Sequence, residues 1–532
     1  MPTLLRRAGL ILFLTGFAVW IGSLTLSQFQ LTETILSQTI KAEHLPAIRA
    51  RTASMLGKRY SSQIQFIGDF KAALNQINDE YRRRQEWDRI IYDKYAFSVT
   101  KAASTGFFPQ HTGLFFILSI VVAICGALLY SMAGRQLPTG SSNDHLFRHP
   151  ATSRGWIGIS VAVFLIGFYV LLYFYPEYLT NWVLLVDPLN RALSGNANTG
   201  PSASQWFLYG TLYTLVILVM GVRMLVRYRN NPYQQVRTVS VMFFQITFAF
   251  LLAELLARFN LPGQDLKNMW PLDYAFFFDY RIENHLQAGT LGIWMLIWGI
   301  ALFVVGVPVL TYFFGKRWYC SWVCGCGGLA ETLGDPYRHL SDKSLKAWQI
   351  ERYSVHGVLA FAVVMTLGVL YTVFTGSGSV LGISTYDLRS WYGFGIGSVF
   401  AGVVGTGFYP LMGSRVWCRF GCPLAAYLGL VQRIKSRFRI TTNGGQCISC
   451  GNCSTYCEMG IDVRWYAQRG QDIVRSSCVG CGICSAVCPR GVLTLENGPV
   501  TGRQLEPRPI VLDTNGARIG PYEPTISRPA IS

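Results

Sequence analysis

Cys447-Ile448-Ser449-Cys450-Gly451-Asn452-Cys453-Ser454-Thr455-Tyr456-Cys457 and Cys478-Val479-Gly480-Cys481-Gly482-Ile483-Cys484-Ser485-Ala486-Val487-Cys488-Pro489 are two runs of one pattern, C-x2-C-x2-C-x3-C. In such runs three closely spaced thiolates wrap one iron–sulfur cubane and the fourth reaches the neighbouring one. The spacing therefore predicts one [4Fe-4S] cluster on Cys447, Cys450, Cys453 and Cys488, and a second on Cys478, Cys481, Cys484 and Cys457. Backbone amides must turn around each cubane and donate to its sulfurs, and Gly451, Gly480 and Gly482 can make those turns. Four-cysteine zinc sites present separated C-x2-C knuckles, not triplets with a displaced fourth cysteine. Residues 441–495 are thus expected to form a dicluster ferredoxin-like α+β domain.

Upstream the composition is that of a bilayer protein. The 532 residues are 51% hydrophobic, 14% aromatic and only 14% charged, against about 25% charged in a typical soluble domain. Apolar runs long enough to cross about 30 Å of hydrocarbon recur along the chain. We expect about eight spans: 8–27, 112–133, 155–175, 205–226, 239–257, 289–314, 353–374 and 395–412. The fold class is accordingly mainly α, a polytopic helical membrane protein with the ferredoxin-like domain at its C-terminal end. The first run, Leu10 to Leu26, follows Arg6 and Arg7, but Ser27-Gln28-Phe29-Gln30 lacks the small-x-small pattern of a cleavage site. Residues 1–27 are read as a retained anchor.

An even span count puts both termini on one side. On that side fall Arg135, Arg148 and Arg154, then Arg227, Arg229 and Arg237, and six basic residues between Lys316 and Arg352. The alternate loops are poorer, with Arg191 alone, Arg389 alone, and Arg258, Lys267 and Arg281 in a longer one. Positive loops mark the cytoplasm, which places the termini and the cysteine-rich end inside a bacterial inner membrane. Residues 28–111 then lie outside despite Arg82-Arg83-Arg84, as long loops translocate largely regardless of charge. In that segment Ile64, Phe66, Ile67, Phe70, Leu74 and Ile77 recur at helical spacing, predicting one or two long amphipathic helices.

The net charge of +18 is spread over short loops, which speaks for membrane orientation and against nucleic acid. Thirteen of the fourteen cysteines follow residue 319, mostly at two- or three-residue gaps, a pattern of ligands rather than disulfides.

Two further pairs sit where spans six and eight emerge: Arg317-Trp318-Tyr319-Cys320-x3-Cys324 and Arg415-Val416-Trp417-Cys418-x3-Cys422-Pro423. Spacing of i, i+4 would put both sulfurs of a pair on one helix face, so two facing helix ends offer four thiolates. Leu329-Ala330-Glu331-Thr332-Leu333-Gly334 echoes Leu424-Ala425-Ala426-Tyr427-Leu428-Gly429. The cysteines repeat at an offset of 98 and this echo at 95, as if three residues were inserted around Cys326-Gly327-Gly328. Cys320, Cys324, Cys418 and Cys422 are the candidate metal ligands, possible bearers of a third cluster. Four soft thiolates would also suit Cu(I).

With both features in place, residues 285–490 resemble the NosR and NapH type of membrane ferredoxin-like proteins, and the cytochrome oxidase accessory ferredoxins. That resemblance implies an electron-transfer protein relaying between a quinone pool or partner redox protein and the cytoplasmic clusters. The accessory ferredoxins imply an alternative, a copper-reducing assembly factor; a third reading is a subunit of a larger membrane complex. Three departures stand out: Cys324-Gly325-Cys326 replaces Cys-Pro, Glu458 replaces the proline after Cys457, and the first 280 residues show no flavin-binding domain of the NosR type.

The expected organisation is an anchor (1–27), an outer helical segment (28–111), the membrane domain (112–412), the second cysteine motif with a linker (413–440), the dicluster domain (441–495) and an extended tail (496–532). Partners are membrane lipid, a quinone or redox protein, and other subunits. Lesser candidates are Glu254 with Arg258 in span five, His285 with Glu283 before span six, and Cys125, read as core packing. No pair of histidines stacks within the spans as a membrane haem would need.

Overall fold

The structure, a computed structural model, describes residues 2–133 apart from Asp93, residues 154–194, residues 203–498 apart from Asn260 and Leu381, and two short strands beyond. Among the described residues seven helices are long and apolar enough to cross a membrane: Thr3–Thr25, Thr112–Ala133, Trp156–Phe174, Gln205–Arg227, Pro232–Arg258, Gly289–Phe314 and Leu345–Thr375. They coincide with the first seven expected spans. The eighth stretch is helical too, as Thr385–Trp391, Tyr392–Val404 and Gly405–Gly407 in succession, but its glycines dilute the apolar run. Those glycines let neighbours approach closely, as in membrane helix interfaces. A Cβ at Gly402 would lie 2.6 Å from the Tyr173 ring, and one at Gly407 2.8 Å from Ile166.

The first and second spans pack antiparallel with backbones almost touching, where a Cβ at Gly16 would meet Ala123 N at 2.6 Å and one at Gly126 would meet Phe13 N at 2.4 Å. Arg6 Nη2 donates to Tyr130 Oη at 2.7 Å, so the N-terminus lies at the far end of the second span. Arg154, opening the third span, donates to the carbonyls of Leu411 and Leu340 at 2.8 Å. The N-terminus and both membrane cysteine motifs therefore share one end of the bundle.

The opposite end carries residues 28–111. Beyond the expected helix they form a small domain with its own core. Gln28–Gln30 is the central strand, antiparallel to Arg59–Tyr60 and Ser104–Thr105. One long helix, Gln63–Arg83, lays Phe66, Ile67, Phe70 and Ile77 onto Phe29, Leu36, Ile48 and Val99. Ile64 is exposed, which corrects its place in the expected stripe. Gln63 Nε2 donates to Glu177 O at 2.8 Å, Lys101 Nζ donates to Ala203 O at 2.9 Å, and Lys71 ion-pairs with Glu177.

The loop after the fifth span departs from its expected place as a simple outer loop. It descends along the sixth span: Trp298 Nε1 donates to Leu266 O at 2.9 Å, Trp270 Nε1 donates to Thr366 Oγ1 at 2.9 Å, and Tyr319 Oη donates to Asn268 Oδ1 at 2.8 Å. Lys267 is buried and ion-paired to Asp265 at 2.6 Å. Irregular backbone at this depth requires such internal partners.

The C-terminal domain is held by Arg439–Thr442 paired antiparallel with Leu493–Glu496. Ile510–Leu512 pairs with Arg518–Pro521. The loop bearing Arg135 and Arg148, and most of the tail expected to be extended, lie outside the described residues.

Candidate iron–sulfur centres

The two ferredoxin runs fold as copies of each other. Gly451 and Gly482 take φ of +81° and +75° and start the helices Asn452–Thr455 and Ile483–Ala486. Gly480 sits at φ +62°, and Ser449, its equivalent, at +58°. A left-handed non-glycine residue carries strain, kept here because the turn must wrap the same shape in both runs. One small cavity is lined by Cys447, Cys450, Cys453 and Cys488, and a second by Cys457, Cys478, Cys481 and Cys484. The structure thus brings together each expected set of four. Val492 N–H points at Cys488 Sγ at 3.4 Å, and the amides of Met459 and Ile461 donate to Cys457. Burial pushes the Cys478 thiol up to about 11 despite the Gly480 amide. Cluster loading at neutral pH must therefore displace protons.

The cavities differ in setting. Around the first, Cys450 is exposed and Ile448 is 57% exposed. The loop of the second docks on the membrane domain through Tyr233 Oη to Gly480 O, Gln234 Nε2 to Cys481 O and Ser321 Oγ to Val479 O, each 2.8 Å.

The membrane-end motifs are also duplicates. Cys320 ends helix Arg317–Cys320, and Cys324 is the N-cap of Gly325–Thr332. Cys418 lies on Val416–Phe420, and Cys422 is the N-cap of Pro423–Ile434. The turns close identically, Cys324 N–H to Tyr319 O at 2.8 Å and Cys422 N–H to Trp417 O at 2.9 Å. Each pair converges through a helix–turn–cap, then, and not along one continuous helical face. The offset is 98 at cysteines and caps alike (422 − 324), and the following helices begin at Gly325 and Pro423. No insertion exists around Cys326; the Leu-Ala echo is nearly one helical turn out of register.

Cys320, Cys324, Cys418 and Cys422 line one small cavity with Tyr319 and Trp417, and Cys326 lines it too. Cys422 Sγ accepts from Ala425 N–H at 3.4 Å. The neighbouring Cys326 thiol, against the effect of burial, holds the Cys324 thiol below its usual range. Close approach explains the neighbouring glycines: a Cβ at Gly327 would lie 2.0 Å from Cys320 O, and one at Gly328 2.4 Å from Val241.

Between the membrane-end cavity and the second ferredoxin cavity lies a buried charge cluster that sequence reasoning missed. Arg415 Nη1 is 3.6 Å from Cys418 Sγ, and Arg338 Nη1 is 4.0 Å from Cys481 Sγ. Glu458 joins them, 2.6 Å from Arg338 and 3.0 Å from Arg415. Glu331 completes the ring, 2.6 Å from Arg415, 2.5 Å from Arg237, and bonded to Arg338. Burial raises the Glu458 carboxyl while Arg338 and Arg415 draw it back. At Glu331 burial is outweighed by Arg237, Arg338 and Arg415, which hold the carboxyl well below its usual range. The one visible signal was Glu458 itself, an acid in a proline position.

The lesser candidates stand apart. Glu254 and Arg258 form no ion pair with each other among the described residues. His285 is buried under the descending loop, its Nε2 2.7 Å from Gln264 Oε1. Cys125 is exposed on its span, which corrects its reading as core packing.

Fold and cysteine geometry together define a class: a multi-pass membrane protein bearing [4Fe-4S] clusters in a C-terminal dicluster domain. The chain matches the family model described as a 4Fe-4S binding domain over residues 293–344 and 394–441, the segments carrying the two membrane-end motifs. It matches that of a 4Fe-4S dicluster domain over residues 418–493. It is 28% identical over 157 residues to YccM of Escherichia coli (strain K12), whose name provisionally describes an electron transport protein. That match covers 28% of this chain and 43% of YccM, so the chain spans less than half of that relative. No solved structure matches the chain.

Proposed function

We propose that this chain relays electrons between a membrane quinone and a redox partner at its exposed C-terminal domain. The observation that carries the reading is serial placement: a membrane-end cavity with five cysteines, a buried ferredoxin cavity docked on it, and a second ferredoxin cavity at the surface. In this reading Cys320, Cys324, Cys418 and Cys422 hold a third [4Fe-4S] cluster, and the two ferredoxin sets are ligated as their spacing predicts. Bound clusters supply single-electron carriers; the protein's residues fix their order and exclude water between them. The match to a 4Fe-4S binding domain across both membrane-end motifs supports the third cluster, as does the resemblance to the NosR and NapH type.

A cavity of about 350 Å³ opens between the first four spans, lined by Phe13, Phe17, Trp20, Phe164, Tyr209 and Tyr213. Its inner wall includes Leu329 and Leu333, and Leu329 lies on the helix that Cys324 caps. An apolar chamber of this size, with tyrosines toward the cysteine site, suits a quinone ring and the start of its tail. The basic end of the bundle is cytoplasmic in this reading, and the 28–111 domain lies outside a bacterial inner membrane.

Iron analysis of anaerobically purified full-length protein tests the cluster count. The wild type should hold about twelve irons per chain and Cys418→Ser about eight. About eight in the wild type would refute the membrane-end cluster.

A further inference from the structure

The membrane-end cavity holds one thiol more than a cubane with four corners needs. Cys320, Cys418 and Cys422 each approach it from a separate position, whereas Cys324 and Cys326 reach it from either side of a single glycine in one turn. Only Gly325 separates them in the chain and both line the same cavity, so they occupy neighbouring points of the same wall.

The local backbone is built for this doubling. Cys422 is followed by Pro423 at the first helical position, which fixes φ and leaves one thiol facing inward. At the equivalent place stands Gly325, where a Cβ would meet Gln245 Oε1 at 2.9 Å and Tyr213 at 3.6 Å. A glycine there lets the turn settle against the fourth and fifth spans without moving the Gln245 side chain. Cys326, in the first turn of the helix, then shares the cavity with Cys324. The turn itself abuts Tyr213, whose ring also lines the large apolar chamber.

Resting on the third-cluster reading above, we propose that Cys324 and Cys326 are alternative ligands for one iron of the membrane-end cluster, giving the site two coordination states. In the exchange the Fe–S bond to Cys324 breaks, that to Cys326 forms, and the proton on the Cys326 sulfur passes to Cys324. No electron is gained or lost, and no co-reactant enters. One state places the ligating thiolate at the helix cap, the other inside the first turn of helix Gly325–Thr332.

The test compares full-length wild type, Cys324→Ser, Cys326→Ser, the double variant and Cys418→Ser, purified anaerobically, by iron content and by EPR of the reduced protein. Each single variant at the Cys-Gly-Cys turn should keep about twelve irons, and the double variant should fall to about eight, as Cys418→Ser does. The membrane-cluster signal should be heterogeneous in the wild type and resolve into a different single form in each single variant. The retained ferredoxin irons show that every variant has folded. Loss of the cluster in either single variant, or a Cys326→Ser spectrum identical to wild type, overturns the proposal. A wild type with about eight irons instead refutes the third cluster itself, and is recognised before any variant is made.

Discussion

Replacing Glu458 with glutamine removes one negative charge from a buried site while keeping the side chain's shape. The carboxylate is fully buried between Arg338 and Arg415, and its oxygen lies within 4.8 Å of Cys481 Sγ. An electron added to the adjoining cluster sits farther off, at about 7 Å, where a unit charge at an effective dielectric near 20 contributes about 2.4 kcal/mol. Loss of that repulsion should raise the cluster's reduction potential by about 100 mV. The substitution also leaves three guanidiniums around Glu331, and breaking a buried pair costs about 3–5 kcal/mol. The amide oxygen still accepts one hydrogen bond, so the lower end applies. An EPR-monitored redox titration of full-length protein reads the potential, and limited proteolysis reads the seating of the ferredoxin domain. An unchanged or lowered potential in a folded, fully loaded variant would refute the electrostatic argument.

Ser449→Gly relieves a left-handed residue at φ +58° and should stabilise the ferredoxin domain, with the unfolded chain's extra freedom cutting the gain to less than about 1 kcal/mol in a denaturant titration. Gly327→Ala would drive a Cβ to 2.0 Å from Cys320 O; it should strip the membrane-end cluster while the ferredoxin EPR signals persist. Cys481→Ser should abolish the coupled pair of [4Fe-4S] EPR signals, and an unchanged pair would contradict the ligand assignment. A periplasm-dependent reporter placed in the exposed turn at Gln85 should be active and one fused after Gly498 silent, the reverse pattern overturning the orientation.

What the sequence made legible was local. The grouping of the eight ferredoxin cysteines around two cavities followed from spacing, because three of every four sulfurs belong to one tight turn. Seven spans followed from length and hydropathy. The helix at Gln63–Arg83 followed from its apolar period, whereas the strands beside it have only two or three residues and carry no periodic signal. The ring of Arg237, Glu331, Arg338, Arg415 and Glu458 was hidden because it draws on distant parts of the chain that meet only after folding. Lys267 misled for the same reason: counted as a loop charge, it is carried inward by a loop whose polar groups find partners inside. The i, i+4 spacing of the membrane-end cysteines suggested the right convergence through the wrong geometry, since a broken helix with a capping cysteine gives the same separation.

In the proposed relay the membrane-end cysteines connect a quinone to the ferredoxin clusters. Dithionite-reduced full-length protein, freed of excess reductant and mixed with decylubiquinone in a stopped-flow instrument, tests it by recovery of cluster absorbance. The wild type should reoxidise at least about tenfold faster than Cys418→Ser, a barrier difference of about 1.4 kcal/mol. Equal rates in the two proteins would contradict the relay.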